Sequence, residues 1–424
     1  MILYESKEMK RSRNAYVVVA ALEYLISLLM TGTFLAQVTM NLGFSDSQTG
    51  VISSIISLGC LFQLGSMFLR KRTVKKFVVA MSIANQLLFM LLYVIPVVPV
   101  SQSIKQVCFL IFIFTAYGVY YVAHPKKINW LMSLVPDGQR GRFTATKEMV
   151  SLAAGIAFSY GMGLVVDSYK ASGQMGTAFI ISAVVVTALM ILHTVTMAIS
   201  VEIPSDGKHE KASLGGFFRN LLSVTRNKMV VRIAVVFVLW YFATYCTSSF
   251  YGTYMLRELG MSQTMTTILV GVSSAVRMIA SRPIGSLADR LSFRVSVRIC
   301  LAIVAVAFLF AAFAMPGTGL VCFLLYYIFH GVAMAGINSA LTNLVFDYVS
   351  SDQRPDALAF CQSLAGVAGF LVTLVAGWFV DYMQQNGNQL FGMTVYAQQV
   401  TSLLAAVVAV AAIVYISLRF PKKQ

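Results

Sequence analysis

Charge is scarce in this chain. Asp, Glu, Lys and Arg make up 11% of its 424 residues, where a soluble domain carries roughly a quarter. Hydrophobic residues reach 58% and mean hydropathy is +0.77, more apolar surface than a core of this length can hide. A soluble enzyme and a disordered chain are excluded. Cysteine is sparse too. Cys60, Cys108, Cys246, Cys300, Cys322 and Cys361 all fall in or beside apolar runs, none in a CxxC pair or at metal-ligand spacing. That excludes a secreted disulfide scaffold and leaves free buried thiols as the expectation. H-E-x-x-H and G-x-x-x-x-G-K are absent, so neither a zinc-hydrolase helix nor a phosphate-binding loop is expected. The chain is read as no enzyme, with no cofactor and no metal site. Its start, MILYESKEMKRSRN, is polar and basic, and the first apolar run is too long for a signal core, so no cleavable signal is expected.

What the chain does have is long apolar runs. A bilayer core of about 30 Å needs about 20 helical residues. Twelve runs qualify: 15–38, 48–69, 77–98, 106–134, 145–166, 175–199, 230–256, 263–284, 296–315, 319–346, 357–380 and 398–418. They are continuous, not alternating, which predicts helices and not a β-barrel. The longest polar stretch, Glu202 to Lys228, divides them six and six. The expected layout is a tail over 1–14, a first bundle over 15–199, a linker over 200–229, a second bundle over 230–418 and a tail over 419–424.

Lys and Arg outnumber Asp and Glu 32 to 16, and their positions say why. Twenty-four lie on the side of the termini and linker; only Lys105, Lys170 and Arg257 lie on the other. The excess therefore marks topology and not a nucleic-acid footprint, and it predicts cytoplasmic termini in a multi-pass plasma-membrane protein. The halves also repeat. A shift of 214 carries Gln139-Arg140 to Gln353-Arg354, Asn129 to Asn343, Gly155 to Gly369, Gly163 to Gly377 and Asp167 to Asp381. A six-plus-six duplication places a solute site near the midplane and makes a monomer the default, since one chain holds both halves of a pathway.

Gly285-Ser-Leu-Ala-Asp289-Arg290-Leu-Ser-Phe-Arg294 resembles the G-x-L-A-D-R-x-x-x-[RK] signature between the eighth and ninth helices of the major facilitator superfamily. Asp137-Gly-Gln-Arg140-Gly141-Arg142 is similar to that superfamily's P-x-x-x-R-G-R loop. The resemblance covers essentially the whole chain. It implies an all-α membrane protein of twelve transmembrane helices in two pseudo-symmetric six-helix bundles that alternate access to a central cavity. Gly285, Asp289, Arg290, Arg294 and Arg140 are then expected to form a conformational latch. The first-half copy departs from the pattern, with Leu69 where the aspartate should stand. The Gly-Pro-x-x-Gly-Gly element of drug–proton antiporters is also missing: the fifth span reads Gly155-Ile-Ala-Phe-Ser-Tyr-Gly161-Met-Gly163, without proline.

Ionisable groups inside spans are costly and mark pathways or partners. Glu23 in the first span, Lys126 and Lys127 in the fourth and Arg277 in the eighth share a depth of about 10–12 Å at a helical rise of 1.5 Å per residue. By resemblance to proton-coupled members, Glu23 with Lys126 or Lys127 is the expected proton-coupling pair. The adjacent lysines point about 100° apart, so both cannot face Glu23 equally. The alternative is a purely structural ion pair. Arg277 is expected to hold an acid-bearing solute through its forked guanidinium, or to pair near the inner surface. His124, Asn129, Trp240, Tyr241, Tyr245, His330, Asn338 and Gln362 complete the candidate substrate-binding set, each equally able to serve helix packing. Tyr251 and Tyr254, near a helix end, are read as an interfacial belt. The expected activity is secondary transport of a small polar or anionic organic solute, proton-coupled, with membrane lipid as the only other partner. Anion exchange, drug efflux and a non-transporting solute receptor are the rivals.

Overall fold

The computed structural model describes residues 7–64, 74–136, 140–202, 225–350, 353–390 and 392–421. Among these, eleven helices are long and apolar enough to cross a membrane. The second span is described as far as Leu64: α3 (Asp46–Ser54), a 3-10 turn (Ile55–Leu58) and α4 (Gly59–Leu64). The basic loop Arg70–Arg72 and most of the expected 200–229 linker lie outside the described residues.

By contacts the chain divides into two units, Met1–Gly43 with Leu61–Lys211, and Phe44–Cys60 with Ala212–Gln424. In the first unit, α1 (Lys7–Leu29) packs on α7 (Arg140–Ala171) and α8 (Met175–Ala198). α5 (Val74–Val94) packs on α6 (Gln102–Ser133) and α8. Tyr16, Val19, Phe77, Ala123, Trp130, Leu131 and Met197 form its inner core. The start of the linker is tied to this core: Trp130 Nε1 donates to the Val201 carbonyl at 3.0 Å and Val201 N to Ser12 Oγ at 3.0 Å.

The first span is broken. α1 stops at Leu29 and α2 (Gly32–Asn41) restarts after Thr31, with Gly32 at φ +56° taking the left-handed turn that a side chain resists. A break in lipid frees carbonyls that must find donors. Tyr93 Oη donates to the Leu29 carbonyl at 2.5 Å and Tyr117 Oη to that of Met30 at 3.2 Å.

The second unit repeats the device. α9 (Lys228–Tyr245) stops and α10 (Ser248–Thr253) restarts, each boundary 216 residues beyond its first-unit counterpart. The Tyr245 carbonyl, equivalent to that of Leu29, takes Thr373 Oγ1 at 3.0 Å. A π-helical turn, Tyr254–Glu258, follows. The unit continues through α11 (Gln263–Leu291), α12 (Phe293–Ala312), α13 (Gly319–Met334), α14 (Ile337–Tyr348), α15 (Arg354–Gln385) and α16 (Ala397–Arg419), with a short β1–β2 hairpin (Gln389–Leu390, Met393–Thr394) before α16. Tyr251 and Tyr254 are not an interfacial belt. They are 3% and 0% exposed, because each hydroxyl has a buried partner: Ser402 Oγ at 2.7 Å for Tyr251, the Ala314 carbonyl at 2.6 Å for Tyr254. The helix end they occupy is packed inside protein, where an aromatic with a satisfied hydroxyl is stable.

Candidate functional site

Glu23 sits in the middle of α1 and Lys127 on α6. The ammonium Nζ donates to Glu23 Oε1, in an ion pair whose side chains are 8% (Lys127) and 21% (Glu23) exposed. The Tyr120 phenol hydrogen-bonds the same carboxylate, and Lys127 Nζ lies 5.2 Å from the Tyr120 ring centre. The choice between adjacent lysines is thus made by helix rotation. Lys126 lies instead over the Phe77 ring, 5.2 Å from its centre. Four residues separate Tyr120 from His124 and three separate His124 from Lys127 on one face of α6, the spacing that stacks side chains along a helix.

The pair lines a small cavity of about 10 Å³, room for one water at most, with Ser82, Asn85, Gln86, Tyr120 and His124 around it. Behind it Gln86 Nε2 meets His193 Nδ1 at 3.1 Å, and Asn85 Nδ2 donates to the Ala116 carbonyl at 2.9 Å. His193 is fully buried and its Nε2 has no hydrogen-bond partner in the structure. Tyr120, Asn85, Gln86 and His193 were not among the residues expected from sequence. The signal that points to them is the one that found Glu23, polar side chains inside apolar runs.

His124 connects this pocket to a second, larger one. Gln63, His124, Pro125, Ile128, Asn129, Met132 and Ser133 line a cavity of about 500 Å³, a volume typical of small-molecule sites. Pro125 stands inside α6, where it removes a backbone donor and so loosens the turn that carries His124 and Lys127. His124 stacks against Tyr120 at 5.1 Å. Two of the expected substrate residues, His124 and Asn129, therefore share one wall.

The others lie in the second unit. Arg277 on α11 is half-buried and close enough to His330 on α13 to act on it electrostatically. His330 stacks on Tyr326 at 5.2 Å, and Tyr326 meets Tyr251 at 5.1 Å. Tyr241 and Tyr245 pair at 5.6 Å against α15. Trp240 is in the apolar core, 4% exposed. Asn338 is exposed on α14 and Gln362 half-buried on α15.

Of the expected latch, Gly285 is exposed on α11, and a Cβ there meets nothing within 4 Å among the described residues. Arg294 is buried and donates from Nη2 to the Ser417 carbonyl at 3.0 Å. The side chains of Asp289, Arg290 and Arg140 lie outside the described residues.

Residues 233–424 match the family model described as Major Facilitator Superfamily. No curated protein matches the chain by sequence. By structure, a crystal form of a mutant nucleoside transporter NupG is similar at TM-score 0.73 and 16% identity, covering 97% of this chain and 100% of that one. A D-xylose–proton symporter is similar at 0.68 and 13%, covering 95% and 97%. The fucose:proton symporter FucP of E. coli is similar at 0.57 and 14%, covering 98% of each chain. The chain has the major facilitator fold, with eleven candidate spans among the described residues, and its second half carries the superfamily's sequence pattern.

Proposed function

From that fold we propose that the protein is a secondary active transporter of a small polar organic solute, coupled to protons through Glu23. One observation carries the reading: a largely buried carboxylate–ammonium pair shares His124 with a 500 Å³ cavity lined by no carboxylate, lysine or arginine among the described residues. Gln63, Asn129 and Ser133 offer hydrogen bonds of the kind a sugar or nucleoside hydroxyl uses. The solved relatives that transport nucleosides, fucose and xylose support this choice of solute class.

The chemistry follows from the pair. With Glu23 ionised, Lys127 is neutralised and Tyr120 donates to the carboxylate. A proton arriving on Glu23 removes the charge that holds Lys127, and an unpaired buried ammonium is costly. Lys127 must then turn toward water or solute in the neighbouring cavity, and the loosened turn at Pro125 lets it move. Proton and solute occupancy are coupled because each changes what Lys127 faces. In the accompanying architecture the bundles expected over 15–199 and 230–418 alternate access, and both termini are cytoplasmic in the plasma membrane of a monomer.

The second reading is anion exchange, favoured by Arg277 beside His330. Uptake into proteoliposomes under an imposed pH gradient separates the two, with nucleosides, sugars and carboxylates as solutes. Gradient-driven accumulation that Glu23→Gln abolishes while exchange persists supports proton coupling. Transport that ignores the gradient, requires solute on both sides and is lost only in Arg277→Ala overturns it.

A further inference from the structure

Phe44–Cys60 follows the first span in sequence but belongs by contacts to the second unit. α3 and the 3-10 turn that follows it lie against α15, and α3 also against α10, so closely that only glycine fits at the crossings. A Cβ on Gly366 would stand 2.1 Å from the Ser57 carbonyl oxygen, and one on Gly50 2.1 Å from the Phe250 ring. Asp46, the first residue of α3, is buried completely at the end of this packed segment.

Its surroundings are crowded with charge of its own sign. Oδ1 ion-pairs with Arg257 Nη1 at 2.7 Å without a hydrogen bond, and Oδ2 accepts from Gln384 Nε2 at 2.7 Å. Gln384 Nε2 also donates to Glu258 Oε1 at 3.0 Å, and Asn388 Nδ2 reaches Glu258 Oε2 at 3.4 Å. Asp381 on α15 acts on Asp46 as well, and the Tyr396 phenol faces Glu258. Asp46 and Glu258 thus share the Gln384 amide, and the guanidinium paired with Asp46 is itself 40% exposed and screened by water. The π-helical turn that presents Arg257 and Glu258 is a backbone form that recurs at functional sites.

We propose that Asp46 is a proton-binding site, and that its proton holds the 44–60 segment docked in the second unit. A buried carboxylate in an acidic neighbourhood gains by protonation, because burial and like charge both disfavour the ion. Released into water, the same carboxyl has no such incentive and returns its proton to the bulk. Burial is the largest influence on Asp46 and raises its pKa; Arg257 and Gln384 pull it down, Glu258 and Asp381 push it up, and the net direction is upward. Docking therefore takes up a proton and undocking gives it back, on the side of the membrane opposite the expected cytoplasmic face. The segment is continuous in sequence with the first unit at Gly43 and Leu61. This proton is separate from the one assigned to Glu23, which has Lys127 and Tyr120 as partners.

Infrared difference spectroscopy of the full chain in nanodiscs, titrated with pH, tests the site. A carbonyl stretch of a protonated carboxylic acid is expected to persist above the ordinary carboxyl range, bleaching as pH rises further. It is expected to persist in Glu23→Gln, to vanish in Asp46→Asn, and to shift its midpoint up by about 1 pH unit or more in Arg257→Gln, which loses the opposing cation. A spectrum without this band, or one that Asp46→Asn leaves unchanged, overturns the proposal. Spin labels at Gln48 and Gln385, in a cysteine-free background, test the docking. Their separation should widen as pH rises with Asp46 present and stay short in Asp46→Asn; identical pH profiles overturn the switch.

Discussion

Glu23 and Lys127, 104 residues apart in sequence, meet as a buried ion pair inside the first unit. Neither charge is tolerable there alone. The carboxylate also takes the Tyr120 hydroxyl, so three side chains from two helices satisfy one another in a cavity too small for bulk water.

Removing one partner of such a pair should be worse than removing both. Glu23→Gln strands the Lys127 ammonium and is expected to cost about 3–5 kcal/mol of stability. The double variant Glu23→Gln with Lys127→Met should recover most of that, yet stay inactive in gradient-driven uptake. Thermal unfolding in detergent and proteoliposome uptake, measured on the same preparations, check both statements.

The adjacent lysines should behave differently. Lys126→Ala removes a cation–π contact with Phe77 worth about 0.5–1 kcal/mol and should leave accumulation near wild type. Lys127→Ala should abolish it. Equal losses in uptake assays would place the functional charge elsewhere on α6.

The two helix breaks rest on hydroxyl donors. Tyr93→Phe frees the Leu29 carbonyl and Thr373→Val frees that of Tyr245. Each should destabilise its own unit by about 1–3 kcal/mol, the cost of a buried acceptor left unmatched. Hydrogen exchange read by mass spectrometry should show faster exchange around Leu29 in the first variant and around Tyr245 in the second.

The crossing at Gly366 leaves no room for a side chain. Gly366→Leu should cost at least about 1–3 kcal/mol by overpacking and push 44–60 away from α15. Lengthening of the Gln48–Gln385 spin-label distance at every pH is the expected readout.

Asp46 predicts the sign of a pH effect. Its pKa is raised when buried, so the docked state holds the proton more tightly than the hydrated one. Its contribution to docking is complete below the ordinary carboxyl range and is lost as pH rises through the raised value. Melting of the second unit should therefore fall with rising pH over that window, and Asp46→Asn should flatten the dependence.

Composition and run length were enough to read the membrane, the helices and the six-plus-six duplication, because lipid selects for apolar stretches of one length and a repeat leaves matched residues at a constant offset. The G-x-L-A-D-R stretch pointed to the same fold that the structural relatives share. Sequence also flagged Glu23, Lys126 and Lys127, since any charge within a span is conspicuous. It left open which lysine faces the carboxylate, because that depends on the rotation of α6 about its axis. Nor did it show that Tyr251 and Tyr254 are buried, that His193 and Gln86 stand behind Glu23, or that the start of the second span packs with the other unit. Those are relations between residues far apart in sequence, set by helix breaks and by glycines that admit a neighbouring backbone. Hydropathy is read along the chain; pairing is decided across it, and only tertiary structure brings the partners together.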